Sequence, residues 1–178
     1  MTISTKTGDE GTCSLMFGER VLKSSQRVSA YGAVDELCSA LGVVKANSKS
    51  ADFKSEISEI QNALIMLMTE LATSNKKYGK LSEKSIKLLS ETDLKAVESK
   101  ASQIESEGEV FKGWTLAGEN VLDAELNMAR TICRRAEREI VKLNSEEPLP
   151  RKFILAYMNR LSDLLYLWGV LAAKNKIS

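Results

Sequence analysis

The chain has 178 residues, 43% hydrophobic, with 25 Lys plus Arg against 24 Asp plus Glu and no histidine. That length and apolar content suit one domain with its own core, and the near-balanced charge leaves no broad basic footprint for nucleic acid. The missing imidazole excludes His-dependent triads and His-ligated metal sites, including the Glu-x-x-His pairs of a di-iron bundle.

From the N-terminus, Thr5-Lys-Thr-Gly-Asp-Glu-Gly-Thr-Cys-Ser-Leu15 and Gly18-Glu-Arg-Val-Leu-Lys23 form a glycine-punctuated polar stretch in which no tight strand pair is apparent. Apolar residues then recur at helical spacing from Ser25 to Lys45 (Val28, Tyr31, Val34, Leu37 or Cys38, Leu41, Val44), with Asp35 and Glu36 inside the run. A second helix is expected from Asp52, read as its N-cap, to Asn75; its long apolar stripe is that of a central bundle helix. Lys76 to Glu91 reads as an irregular surface crossing, and a third helix is expected from the capping residue Thr92 to Glu107. Gly108 to Gly118, which holds Trp114, breaks the period. Two more helices follow, Glu119 to Asn144, stopped by Pro148 and Pro150, and Arg151 to Lys174. The expectation is an all-α, five-helix, up-down bundle comprising residues 25–178, preceded by an ordered loop over 1–24, in one domain spanning 1–178.

Cys13, Cys38 and Cys133 are odd in number and unpaired in spacing, which points to a reducing, cytoplasmic setting without disulfides or zinc. No apolar run approaches the roughly 20 residues of a membrane span, and the polar start is not a secretory signal.

The fourth long helix carries the most chemistry. Leu122, Leu126, Ala129, Cys133, Ala136 and Ile140 share one face, and Arg130, Arg134 and Arg138 climb the neighbouring face four residues apart, with Glu137 in the same arc. A solvated arginine face has this spacing. So does a site for a polyanion, because each planar guanidinium can donate two charge-assisted hydrogen bonds to phosphate. The N-terminal loop lacks the Gly-Lys-Ser/Thr ending of a Walker loop; its backbone amides with Lys6, Ser14 and Lys23 could form an anion nest or an ordinary surface turn.

Four segments in order, the N-terminal loop, Ala30-Tyr-Gly-Ala-Val-Asp-Glu-Leu37, Ala129-Arg-Thr-Ile-Cys-Arg-Arg-Ala-Glu-Arg138 and Tyr157-Met-Asn-Arg-Leu-Ser-Asp163, resemble the PduO-type ATP:cob(I)alamin adenosyltransferases. The resemblance implies transfer of the 5′-deoxyadenosyl group of ATP to the cobalt of cob(I)alamin, with triphosphate leaving, in a homotrimer whose active sites lie between subunits. ATP, with Mg²⁺ carried on it and no protein metal site, would meet Thr5, Lys6, Thr7, Gly8, Ser14 and Lys23 of one subunit and Arg134, Arg135, Glu137, Arg138 and Asn159 of the next. Arg134 would act in catalysis, together with an Asp35–Arg130 salt bridge across the interface, and Trp114 would lie by the lower face of the corrin. A reductase and an adenosylcobalamin-dependent enzyme are implied as partners. Departures fall on the corrin side: Ala117-Gly118-Glu119 stands for a Pro-Gly-Gly turn, Asn127 for a frequent histidine and Trp114 for a common phenylalanine; Cys13 and Cys38 also replace a usual hydroxyl and amide residue. A nucleotide-binding corrinoid carrier or sensor of the same fold is the alternative.

Overall fold

The computed structural model describes residues 6–108 and 116–177. Helical periodicity resolves into five long helices: α1 (Gln26–Asn47), α2 (Ala51–Leu71), α4 (Glu91–Ser106), α5 (Val121–Glu146) and α6 (Phe153–Ala173). Short elements outside the long helices were not expected. The crossing after α2 contains a one-turn helix, α3 (Gly79–Glu83), and the N-terminal stretch holds an antiparallel pair, β1 (Thr12–Ser14) with β2 (Arg20–Leu22), in register Cys13 opposite Val21. The expected five-helix count is therefore corrected to six, with a small sheet added.

Two expected caps also move by two residues. Ser50, rather than Asp52, caps α2 by accepting from the Phe53 amide at 3.2 Å. Ser90, rather than Thr92, caps α4 in a reciprocal box, where the Asp93 carboxylate receives the Ser90 amide at 2.7 Å. Both satisfy donors that would otherwise be orphaned at a helix start.

α1 packs between α2 and α5, and α6 between α5 and α4. Gln26 at the start of α1 donates to the Glu139 carbonyl near the end of α5 at 2.8 Å, and Asn47 at the far end of α1 reaches Glu125 near the start of α5 at 2.5 Å. These two helices are thus antiparallel neighbours over their full length. The most enclosed helix is α6 rather than α2: Tyr157, Met158, Leu161, Leu165 and even Ser162 and Gly169 are buried. Phe53 in the first turn of α2 meets Trp168 toward the end of α6 edge to face, with centroids 4.9 Å apart, which joins these two helices at one end of the bundle.

The end of the bundle nearest the N-terminal loop is braced by buried charge. Arg27, only 6% exposed inside the apolar side of α1, donates to the Leu71 and Thr73 carbonyls at 2.7 and 2.8 Å and pairs with Glu147 at 2.5 Å. It thereby satisfies carbonyls where α2 ends and ties them to the end of α5. Glu70, 2% exposed, is held by Arg151 and by the Tyr78 hydroxyl at 2.5 Å. Burial and this bond to Glu70 push the Tyr78 phenol up to about 12.

Candidate active site

The N-terminal loop is organised by one exposed side chain that the motif reading passed over. Arg20 on β2 donates to the Thr7 carbonyl at 2.6 Å, to Ser14 Oγ at 3.2 Å and to Thr12 Oγ1, so a single guanidinium holds the loop against its own hairpin. The turn between the strands needs left-handed backbone at Phe17 (φ 62°) and Gly18 (φ 75°). Its far side is fixed to the bundle, because Met16 donates its amide to the Ala72 carbonyl at 2.9 Å and Lys77 Nζ reaches the Phe17 carbonyl at 3.1 Å. Gly8 is small for a visible reason. A Cβ there would lie 3.2 Å from both Lys23 Nζ and the Thr12 carbonyl, so the Lys23 ammonium rests directly over the loop backbone. Lys6, Thr7 and Ser14 are exposed around it; Thr5 lies outside the described residues.

On α5 the arginine ladder faces outward. Arg134 and Arg138 are exposed and make no hydrogen bond or ion pair among the described residues. Arg130 is half-buried, with its Nε 3.4 Å from Asn127 Oδ1. Beside the ladder, Asn159 of α6 donates to Glu137 at 3.2 Å, and Asn159 in turn accepts from Arg160. Arg135 turns to the other side and pairs with Glu36 of α1. Two unpaired guanidiniums one helical turn apart repel, costing a few tenths of a kcal/mol, and an anion placed between them reverses that sign.

Asp35 and Arg130 form no ion pair within the chain among the described residues, and Asp35 is exposed on α1. The structure thus brings together Gly8 with Lys23, Glu137 with Asn159 and Arg135 with Glu36, and leaves Asp35, Arg134 and Arg138 open. Trp114 lies outside the described residues. Leu116 is 92% exposed, and a cleft of about 390 Å³ with mixed polar and apolar walls runs from it past Asn127 to Tyr166 and Val170 of α6.

Two of the three cysteines are held toward the thiol form. Cys133 is buried, donates to the Met158 carbonyl at 3.5 Å and is pushed up by burial, while burial and then the Asp35 charge raise Cys38. Cys13 Sγ lies 3.8 Å from the Tyr31 hydroxyl, and burial with this contact raises the phenol to about 12. Among the described residues no three or more of His, Cys, Asp or Glu cluster as a metal site would need. The available chemistry is cationic and hydrogen-bonding.

The sequence matches the family described as Cobalamin adenosyltransferase over residues 3–172. The chain belongs to the cobalamin adenosyltransferase family. A corrinoid adenosyltransferase from Citrobacter freundii is 37% identical over 164 residues, covering 92% of this chain and 90% of that protein. One from Bacillus subtilis is 37% identical over 172 residues, covering 93% and 83%. The PduO corrinoid adenosyltransferase of Salmonella typhimurium is 34% identical, and this chain spans 48% of its length. Among solved structures, a variant of the PduO-type ATP:corrinoid adenosyltransferase from Lactobacillus reuteri, complexed with cobalamin and ATP, superposes with a TM-score of 0.88 at 33% identity, covering 99% of this chain and 97% of that one. The family's fold is the bundle described above, and no helix among the described residues is long and apolar enough to cross a membrane.

Proposed function

We propose that this protein transfers the 5′-deoxyadenosyl group of ATP to the cobalt of cob(I)alamin, giving adenosylcobalamin and triphosphate. The observation that carries the reading is the open cationic pair Arg134 and Arg138 beside the Glu137–Asn159 contact, in a chain of this family. In the reaction the cobalt electron pair forms the Co–C5′ bond as the C5′–O bond breaks, and triphosphate leaves with that bond's electrons. The nucleophile arrives on the substrate, so the chain needs no catalytic histidine or thiolate. Its work is to align C5′ with cobalt and to neutralise a leaving group that gains charge.

Each residue group has a part in that work. Lys6, Lys23 and the loop amides about Gly8 hold the polyphosphate of ATP, which brings its own Mg²⁺, and Thr5, Thr7 and Ser14 offer hydroxyls to it. Arg134 and Arg138 neutralise charge on the departing oxygens, Glu137 and Asn159 shape the nucleoside end, and Arg135, which turns to Glu36 within its own chain, adds positive charge at the edge of the site. Loop and ladder come from different subunits of a homotrimer, and Asp35 of one pairs with Arg130 of another. Neither residue forms an ion pair with another described residue of its own chain, which supports that assignment. Trp114 covers the lower face of the corrin, keeping water and axial bases from cobalt. A cytoplasmic setting, a reductase supplying Co(I), and an enzyme that consumes adenosylcobalamin complete the reading.

The test is an anaerobic mixture of reduced cobalamin, ATP and Mg²⁺ with the purified protein, followed by corrin absorption. Adenosylcobalamin should accumulate over many turnovers. Tight binding of both substrates with less than one turnover would identify a carrier or sensor.

A further inference from the structure

Asp123, three residues into α5, is 3% exposed and plays no part in the reaction described above. Its carboxylate is nonetheless fully engaged: Oδ2 accepts from the amides of Gly118 at 2.7 Å and Glu119 at 3.1 Å, and Oδ1 accepts from Asn127 Nδ2 at 2.7 Å. Three donors to one buried carboxylate offset its loss of water. They also fix the polarity of Asn127. Its amide nitrogen must face the carboxylate, so its oxygen faces outward along α5, where it lies 3.4 Å from Arg130 Nε.

The facing helix is shaped to admit this chain of contacts. Gly169 lies in the interior of α6, where glycine is disfavoured relative to alanine. A Cβ at Gly169 would come 3.1 Å from Asn127 Nδ2 and 3.6 Å from Asp123 Oδ1. The missing methyl leaves room for the amide at the one place where Asn127 turns from Asp123 to Arg130.

We propose that Asp123 and Asn127 form a polar relay that orients Arg130, making Asn127 a positioning residue for adenosyl transfer. Asn127 occupies the Nε edge of the guanidinium and leaves its Nη1/Nη2 fork, which has no hydrogen bond or ion pair among the described residues, free to meet a carboxylate. Asp35 is the carboxylate of the proposed interface, so the consequence for catalysis rests on the role given to Arg130 above. The relay also joins that arginine to the backbone at Gly118 and Glu119, immediately after the sequence segment that carries Trp114.

The chain has no histidine, so Asn127→His introduces one imidazole whose titration nuclear magnetic resonance can follow without ambiguity. Asp123 favours the charged imidazolium and Arg130 opposes it, with Glu119 and Lys174 lining the same cleft as more distant charges. Removing Arg130 in N127H/R130A should raise the imidazole pKa by about half a unit or more, and N127H/D123N should lower it. An imidazole pKa indifferent to R130A overturns the relay. Gly169→Ala supplies a second measurement from the opposite helix: it should reduce kcat several-fold with the ATP KM nearly unchanged, and should have no further effect in an R130A background. Full additivity of G169A with R130A also overturns the relay. The resonance experiment needs no turnover, so absence of adenosylation by the wild type would count against the proposed reaction while leaving the relay to be judged on its own result.

Discussion

Arg20→Ala separates the ordering of the N-terminal loop from the stability of the bundle. The guanidinium reaches the Thr7 carbonyl, Ser14 and Thr12 from an exposed position, with distances of 2.6 and 3.2 Å to the first two. A hydrogen bond from a charged donor contributes about 1.5–3 kcal/mol when shielded, but solvent exposure reduces each of these to about 0.5 kcal/mol. Three together give roughly 1.5 kcal/mol, which is about tenfold in an equilibrium constant. Because the loop rests on the end of the bundle without entering its core, the loss should appear in ligand affinity. Calorimetric titration with Mg-ATP should show about tenfold weaker binding, and the melting temperature should fall by no more than about 2 °C. Arg20→Lys should recover only part of the affinity, since one ammonium cannot span three acceptors in fixed directions. An unchanged ATP Kd would refute the loop's role, and a drop in Tm of about 10 °C would show that Arg20 holds the fold instead.

Arg134→Ala should abolish detectable turnover while the far-ultraviolet circular dichroism and the assembly state persist, because the side chain is exposed and unpaired among the described residues; Arg134→Lys should rescue a fraction, as kcat measurements would show. Asp35→Asn and Arg130→Ala should each weaken assembly or activity, and the double variant should lose less than the sum, so strict additivity in sedimentation and rate assays would show that the two do not pair. Burial alone would raise the Glu147 carboxyl, yet Arg27, the Asn75 amide and the Lys76 charge hold it below the ordinary carboxylate value. A folded-state value below the unfolded one contributes stability above about pH 4.3 that is lost as pH falls through the folded value. Urea titrations should therefore find Glu147→Gln about 1 kcal/mol less stable at pH 7, solvent screening limiting an ion pair that is 37% exposed on the Glu147 side, with the gap to wild type closing as pH falls below about 4.

The long helices were legible because Val34, Leu37, Leu41 and Val44 on α1, or Leu126, Cys133, Ala136 and Ile140 on α5, repeat at a period that only a helix converts into one buried face. Three-residue strands carry no such signal. β1 and β2 are defined by their mutual register and by Arg20, and α3 spans five residues, too few for any period to show. The caps slipped because Ser50 and Asp52, like Ser90 and Thr92, are both competent N-cap types two residues apart; only the bonds to the Phe53 and Asp93 amides choose between them.

Site residues on one helix face were legible for the same reason as the core. Arg134, Glu137 and Arg138 share an arc of α5, and Asn159 approaches that arc from α6. Arg27, Asp123 and Asn127 were not legible as a set, since a charged residue within an apolar run is read as exposed until the acceptor or donor that compensates it is seen. Arg27 finds carbonyls 44 and 46 residues away, and Asp123 finds backbone amides in a loop that has no period at all.

The reaction itself is tested most directly by following the carbon that changes partners. ATP labelled with ¹³C at C5′, incubated anaerobically with cob(I)alamin, Mg²⁺ and the protein, should yield a cobalt-bound methylene resonance and one triphosphate per corrin in the ¹³C and ³¹P spectra. The Arg134→Ala protein should yield neither. Retention of the label in ATP, or release of adenosine with phosphate and diphosphate in place of triphosphate, would contradict transfer of the adenosyl group to cobalt.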